Sequence, residues 1–260
     1  MKQHPTAIIE PGAHIDEDVE IGPFCIIKEG AIIGSGNRFH SHCVIHGVVT
    51  IGSSNTFHQG CSIGDVPQDI SYEGADTRVE IGNDNIFREF CTVHRGTEKD
   101  RTLTTVGNNG YFMGYTHIAH DCIVGDHVQM TNTAQLAGHT IVEDYATIGP
   151  FCGLHQFCRI GRYSFIGAGT VVTQDVVPYS LVVADIGNRA KVYGHNAIGL
   201  KRAGFSLEQL QNIKRAFRIL FKSDLNTSQA LDKISREFSY SVEVDNIVTF
   251  IQSAKRGIIK

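Results

Sequence analysis

Bulky apolar residues recur along this chain at every sixth position. They stand at Ile9, Ile15, Ile21, Ile27, Ile33, Phe39, Ile45, Ile51, Phe57 and Ile63, and resume in phase at Ile81, Phe87 and Val93. They run again from Val106 through Phe112, Ile118, Val124, Met130, Leu136, Val142, Ile148, Leu154, Ile160 and Ile166 to Val172. An α-helix repeats every 3.6 residues and an isolated amphipathic strand every two, so neither explains a period of six. Three six-residue faces would close a triangular coil of eighteen residues, with the bulky side chains inside and successive coils stacked as parallel strands roughly 4.8 Å apart. The pattern predicts a mainly β chain, a parallel β-helix over residues 1–190. Gly22, Gly34, Gly52, Gly64, Gly82, Gly107, Gly125, Gly149, Gly161 and Gly167 each follow a bulky residue directly. Glycine admits positive φ, so the corners are expected there.

Two segments escape the repeat. Residues 64–80 (GDVPQDISYEGADTRVE) and 94–105 (HRGTEKDRTLTT) read as polar loops projecting from the prism, the kind of segment that often carries function. Beyond Pro178 the pattern dissolves, and from Asn196 the periodicity turns helical. Ser206 with Gln209 makes a capping box ahead of LEQLQNIKRAFRILFK, followed by SQALDKISREF and VDNIVTFIQSAKR. Leu207, Leu210, Ile213, Phe217 and Leu220 form one apolar stripe, and a C-terminal α-helical domain is expected over 191–260.

Composition refines this picture at three points. The seven cysteines all fall four residues after a bulky position and none forms a C-x-x-C pair, which predicts reduced packing residues rather than a disulfide framework or a cysteine-zinc site. No apolar run approaches the roughly 20 residues of a membrane span, and the start MKQHPTAII lacks a signal-peptide pattern. A cytoplasmic location is therefore expected, with no nucleic-acid partner. The net charge of −4 also divides unevenly. Residues 1–195 hold 12 basic against 21 acidic side chains, and residues 196–260 hold 11 against 6.

Most of the thirteen histidines are scattered over polar faces, but His117, His120, His139 and His155 gather. Their neighbours Ile118, Leu136 and Leu154 are eighteen residues apart, so the four imidazoles lie along one prism edge over three coils. His120, Gly138 and Gln156 take equivalent slots on those coils, and the glycine gap is expected to leave room for a substrate. Such a strip suits acyl transfer to a hydroxyl, since a neutral imidazole can take the proton as the hydroxyl attacks a thioester. Asp121 could orient the base, although neighbours on a strand face opposite sides. The Gly138 N–H could meet an oxyanion. Three histidines could instead hold zinc, as in the γ-class carbonic anhydrases that share such a prism, but those are usually shorter and lack the helical tail.

The motifs HIAHDC at 117–122, LAGH at 136–139, HQFC at 155–158, QDISYEG at 68–74, TRVEIG at 77–82, HRGT at 94–97 and GLKRAGF at 199–205 resemble the LpxA family along nearly the whole chain. These are the UDP-N-acetylglucosamine O-acyltransferases of lipid A biosynthesis. The resemblance implies a left-handed helix and a homotrimer with clefts between subunits. It implies transfer of an R-3-hydroxyacyl group from the phosphopantetheine thioester of acyl carrier protein to the 3-position of UDP-N-acetylglucosamine, with no metal and no other cofactor. His120 falls on the general base, Asp121 on its neighbour, Gly138 on the oxyanion donor and His139 on a supporting position. Gln68, Asp69, His117, His155, Gln156, Asn196 and Arg202 fall on substrate-contacting positions, and Ala168 on the position that sets acyl-chain length.

The chain departs from the family at Ser71, usually a lysine, and at Ile198 and Ala203, usually a glutamate and an arginine. Acylation of a 3-amino analogue of the sugar therefore stays open beside the 3-hydroxyl. The related N-acyltransferase normally carries an added N-terminal domain, for which a repeat beginning at Ile9 leaves no room. A non-catalytic β-helical scaffold is the alternative from another class, opposed by the intact histidine set. Lys201, Arg202, Lys214, Arg215, Arg218 and Lys222 on the basic tail are the expected docking charges for the acidic carrier protein.

Overall fold

The computed structural model describes residues 1–238 and 240–260. Strands mostly two residues long run round three faces, and each pairs in parallel with strands one coil away, as in Ile26↔Val44 and Leu136↔Leu154. Three sheets of eleven, nine and eight strands result. The register step is 18 residues, widening to 30 where the 64–80 loop leaves and to 25 where the 94–105 loop leaves. Both loops thus sit between coils that still stack.

The interior is filled by the sixfold positions. Phe39, Phe57, Phe87 and Phe112 stack down the axis with ring centroids 4.9, 4.9 and 4.6 Å apart. Beside them runs a buried ladder in which the Asn55 and Asn85 amides donate to the Oδ1 of the preceding asparagine at 3.0 and 2.9 Å. This satisfies polar groups that would be costly to bury alone. All seven cysteines are buried free thiols.

The corners differ from expectation. Of the ten glycines that follow a bulky residue, only Gly64 has positive φ, and the left-handed corner falls two residues later, on side chains such as Phe24, Asp121, His139 and Phe157. The glycines answer instead to close stacking. A Cβ on Gly22 would lie 2.6 Å from the His40 carbonyl oxygen of the next coil, well inside contact distance. The uncommon φ at the corners is accompanied by stacking between coils, as in Tyr145 on Tyr163 at 4.6 Å.

The eleven-stranded sheet ends in an antiparallel hairpin of Ser180–Ala184 with Ala190–His195. The chain then enters α1 (Ala197–Arg202), α2 (Leu207–Lys222), α3 (Thr227–Glu237) and α4 (Val242–Gln252). The strand Ala190–His195 still belongs to the prism sheet, so helix begins at Ala197 and not at residue 191. The Ser206–Gln209 capping box is present, and Asn226 with Gln229 makes a second. Ile213, Ala216, Phe217 and Leu220 form the buried stripe of α2, whereas Leu207, on its first turn, is 78% exposed. Asn246 on α4 donates to the Tyr179 hydroxyl at 3.0 Å and ties the helices to the last coil. Among the described residues no helix is long and apolar enough to cross a membrane.

Candidate active site

His120, Gly138 and Gln156 occupy one edge on consecutive coils, the edge between the nine- and eight-stranded sheets. The coils are locked together there by His139 N–H to His120 O at 3.0 Å and Phe157 N–H to Gly138 O at 3.2 Å. The left-handed corner decides the local chemistry. Asp121 has φ +58°, which turns its carboxylate beside the preceding residue and not to the opposite face as in a strand. Asp121 Oδ2 lies 2.9 Å from His120 Nδ1. The carboxylate is fully buried, and Thr97 completes its shell with the backbone N–H at 3.1 and 3.0 Å from the two oxygens and the hydroxyl at 2.6 Å from Oδ2. Burial would raise this carboxyl, but the bonds from His120 and Thr97 outweigh it and hold it below its ordinary value. A carboxylate kept ionised against Nδ1 places the imidazole proton on that nitrogen and leaves the Nε2 lone pair free.

The glycine gap is filled by the base itself. A Cβ on Gly138 would fall 2.4 Å from His120 Cε1 and 2.6 Å from Nε2, so the glycine admits the imidazole ring where a substrate space was expected. The Gly138 N–H has no acceptor among the described residues. His139 stands edge-on to His120 at 5.1 Å and stacks on Phe157 at 4.3 Å, with Nδ1 3.0 Å from Asp100 Oδ2. His117, on the same cavity, lies 2.8 Å from the Thr92 hydroxyl and edge-on to His94 at 4.8 Å. Burial pushes its imidazole down to about 4, so it is neutral at pH 7. A cavity of about 540 Å³ opens over this edge, lined among others by Gln68, His117, His120, His155 and Gln156.

His94, Thr97 and Asp100 were absent from the sequence-based site, although the 94–105 loop that bears them stood out as polar. The loop folds back over the His120 edge, which its composition could not reveal. The 64–80 loop lies beside it. There Ser71 donates from N–H and hydroxyl to Asp69 Oδ1 at 2.9 and 2.7 Å, and Lys99 donates to Asp69 Oδ2 at 2.7 Å and also to Ser71 Oγ. Lys99 first and Ser71 second hold the Asp69 carboxyl far below the ordinary carboxylate range.

Comparison with known proteins fits this geometry. A family model described as UDP N-acetylglucosamine O-acyltransferase, domain 2, matches residues 175–259, and one described as bacterial transferase hexapeptide (six repeats) matches residues 12–47 and 139–174. The acyl-[acyl-carrier-protein]–UDP-N-acetylglucosamine O-acyltransferase of Thiobacillus denitrificans is 49% identical over 257 residues, covering 99% of this chain and 98% of the relative. Its namesake from Alkalilimnicola ehrlichii is 50% identical over 256 residues, covering 98% of each. The chain belongs to the UDP-N-acetylglucosamine O-acyltransferase family. The LpxA structure from Acinetobacter baumannii superposes with a TM-score of 0.95 at 41% identity over 99% of each chain. The UDP-N-acetylglucosamine acyltransferase of Francisella novicida gives 0.96 at 37% identity, covering 98% of this chain and 93% of that one. The prism is the left-handed parallel β-helix of this family.

Other residues expected of an O-acyltransferase lie apart from the cavity. Ala168 is exposed on the edge between the eleven- and nine-stranded sheets. Asn196 caps α1 by accepting from Gly199 N–H and donates to the Tyr163 carbonyl at 3.0 Å, on the third edge. Arg202 closes the last turn of α1 beside Lys201. The docking charges also divide. Lys214, Arg218 and Lys222 rim a second cavity of about 800 Å³ floored by Phe217 and Phe221, joined by Lys191 and Lys260. Arg215 points elsewhere, 3.5 Å from Glu237 and over the Phe238 ring at 4.8 Å. His120, Asp121 and His139 bring ligand-type atoms within 4.8 Å of one another. The Asp121 oxygens there already accept from Thr97 and lie against His120.

Proposed function

We propose that this chain transfers an R-3-hydroxyacyl group from the phosphopantetheine thioester of acyl carrier protein to the 3-hydroxyl of UDP-N-acetylglucosamine, the first step of lipid A biosynthesis, in the cytoplasm. The observation that carries the chemical reading is the His120–Asp121 pair at 2.9 Å beneath the cavity, with the unbonded Gly138 N–H alongside. His120 Nε2 takes the proton of the sugar hydroxyl as its oxygen attacks the thioester carbonyl. The Gly138 N–H receives the oxyanion of the tetrahedral intermediate. The C–S bond then breaks, and the departing thiolate takes the proton back from Nε2. Asp121, fixed by Thr97, holds the tautomer and stabilises the imidazolium that forms between the two transfers. His139 packs the ring from its edge. Gln68, Asp69, His117, His155 and Gln156 hold the substrates around it, with the donor's own phosphopantetheine as the only prosthetic group required.

His120, Asn196 and Ala168 stand on three different edges of one prism. No single substrate touches all three within one chain, which supports a homotrimer whose clefts each combine edges of neighbouring subunits. The basic, aromatic-floored cavity on α2 is where the acidic carrier protein docks. The test incubates purified protein with R-3-hydroxyacyl carrier proteins of several lengths and with UDP-N-acetylglucosamine or its 3-amino analogue. An ester product is expected, and His120→Ala should cut turnover by roughly 10²- to 10⁴-fold while the protein still sediments as a trimer. Product from the amino analogue alone would overturn the acceptor, and wild-type turnover in the variant would overturn the base.

A further inference from the structure

The substrate proposed above carries a diphosphate, yet the described residues lining the His120 cavity include no lysine or arginine. Of the cations on the 94–105 loop, Arg95 lies over the Tyr72 ring at 5.6 Å, whereas Lys99 reaches Asp69 and Ser71. Lys99 lies on the segment whose other members touch the catalytic residues: Thr97 binds Asp121 and Asp100 faces His139. Its ammonium crosses to the 64–80 loop and ends on Asp69 and Ser71, one residue and three residues beyond Gln68, which lines the cavity. An ammonium has three donors. Asp69 and Ser71 take two of them, and the side chain remains 48% exposed, which leaves the third open to solvent beside the loop that bears Gln68.

We propose that Lys99 is the cation that receives the diphosphate of the sugar nucleotide, aimed by Asp69 and Ser71. The arrangement suits that task better than a bare lysine. Asp69 and Ser71 fix one end of a flexible four-carbon stem, and the phosphate completes the donor set in place of water. The proposal rests on the sugar-nucleotide reading and concerns binding alone, so it separates from the chemistry of His120.

The test compares wild type with Lys99→Ala and Lys99→Gln by titration of UDP and of UDP-N-acetylglucosamine and by steady-state kinetics. Both variants should bind UDP roughly tenfold or more weakly, the loss of about one charge-assisted bond. KM for the sugar nucleotide should rise in parallel, with kcat within about twofold and KM for the acyl carrier protein unchanged. Because Lys99 Nζ contacts Ser71 Oγ, a lysine at position 71 reaches the same carboxylate, and Ser71→Lys in the Lys99→Ala background should restore UDP affinity. A lysine that only ties the two loops together would lower kcat without changing UDP affinity, and the displaced lysine would not rescue it; either result overturns the proposal. UDP titration needs no turnover. Wild-type protein that binds UDP with Lys99-dependent affinity but acylates nothing would therefore sink the transferase reading and leave this one standing.

Discussion

Gly138→Ala is the sharpest probe of the catalytic edge, because it adds one methyl group and changes nothing else in the chain's chemistry. The methyl carbon would lie 2.4 Å from His120 Cε1 and 2.6 Å from Nε2. Carbon contacts settle near 3.5–4.0 Å, so the ring must retreat by about 1 Å or more. Gly138 has no positive φ, so alanine fits the backbone, and the ring is free to swing toward the open cavity. That swing breaks the 2.9 Å contact with Asp121. A displacement of this size at a reacting group costs about 10²-fold in rate, or roughly 2.7 kcal/mol of barrier. The variant should therefore lose about two orders of magnitude in kcat, hold its KM values within a few-fold, and melt within a few degrees of wild type. Alanine keeps the N–H, so the loss would report the position of His120 and not the oxyanion contact. Steady-state kinetics with a thermal melt decide it. A variant with wild-type kcat would show that the ring does not work from the place it occupies here.

Asp121 should shape the acid side of the stability curve. Its folded value is depressed, so its contribution is complete above the ordinary carboxyl range and lost as pH falls through the folded value; melts of Asp121→Asn should show a lower Tm at pH 7 and a shallower decline below about pH 4. Ala168→Met should shorten the preferred acyl chain by filling the far end of the cleft, read by competition between carrier proteins of different chain length. Lys214→Glu with Arg218→Glu should raise KM for the carrier protein and weaken its salt dependence, with sugar-nucleotide affinity unchanged. Arg215→Glu should do much less, since that guanidinium is committed to Glu237 and Phe238; equal effects of the two changes would reject the α2 cavity as the docking face.

The prism is legible because one residue class returns every sixth position on both sides of two loops, and a period of six admits few architectures. The histidine strip followed from the same arithmetic, since side chains eighteen residues apart must stack. What escaped depends on features that have no period. The side on which Asp121 meets His120, a partnership that adjacency already suggested, is set by a left-handed corner on a non-glycine residue, where a strand rule gives the wrong side. Thr97 and Lys99 enter only when a twelve-residue loop folds back over an edge, a tertiary event that its polar composition does not encode. Arg215 and Arg218 look alike in sequence, and only the packing of α3 against α2 separates them.

The stack of phenylalanines has a consequence for how such a molecule acquires chemistry. Phe39 and Phe57 lie across an 18-residue step with centroids 4.9 Å apart and planes within 6°. Phe57 and Phe87 span a 30-residue step with the same 4.9 Å and 4°. The core does not register that a long loop has been spliced between the second pair. Each coil answers only to the coils above and below it, and closing a longer excursion adds little entropy penalty, since each doubling of loop length costs about 0.6 kcal/mol. Loops at an edge are therefore free to lengthen, shorten or change sequence under selection for what they bind, with the scaffold left unaltered. The catalytic apparatus behaves as a removable attachment to a structural rod, and a chain shortened by 12 residues within 64–80 and by 7 within 94–105, which restores the 18-residue step at both places, should still fold as a prism, stable and inert.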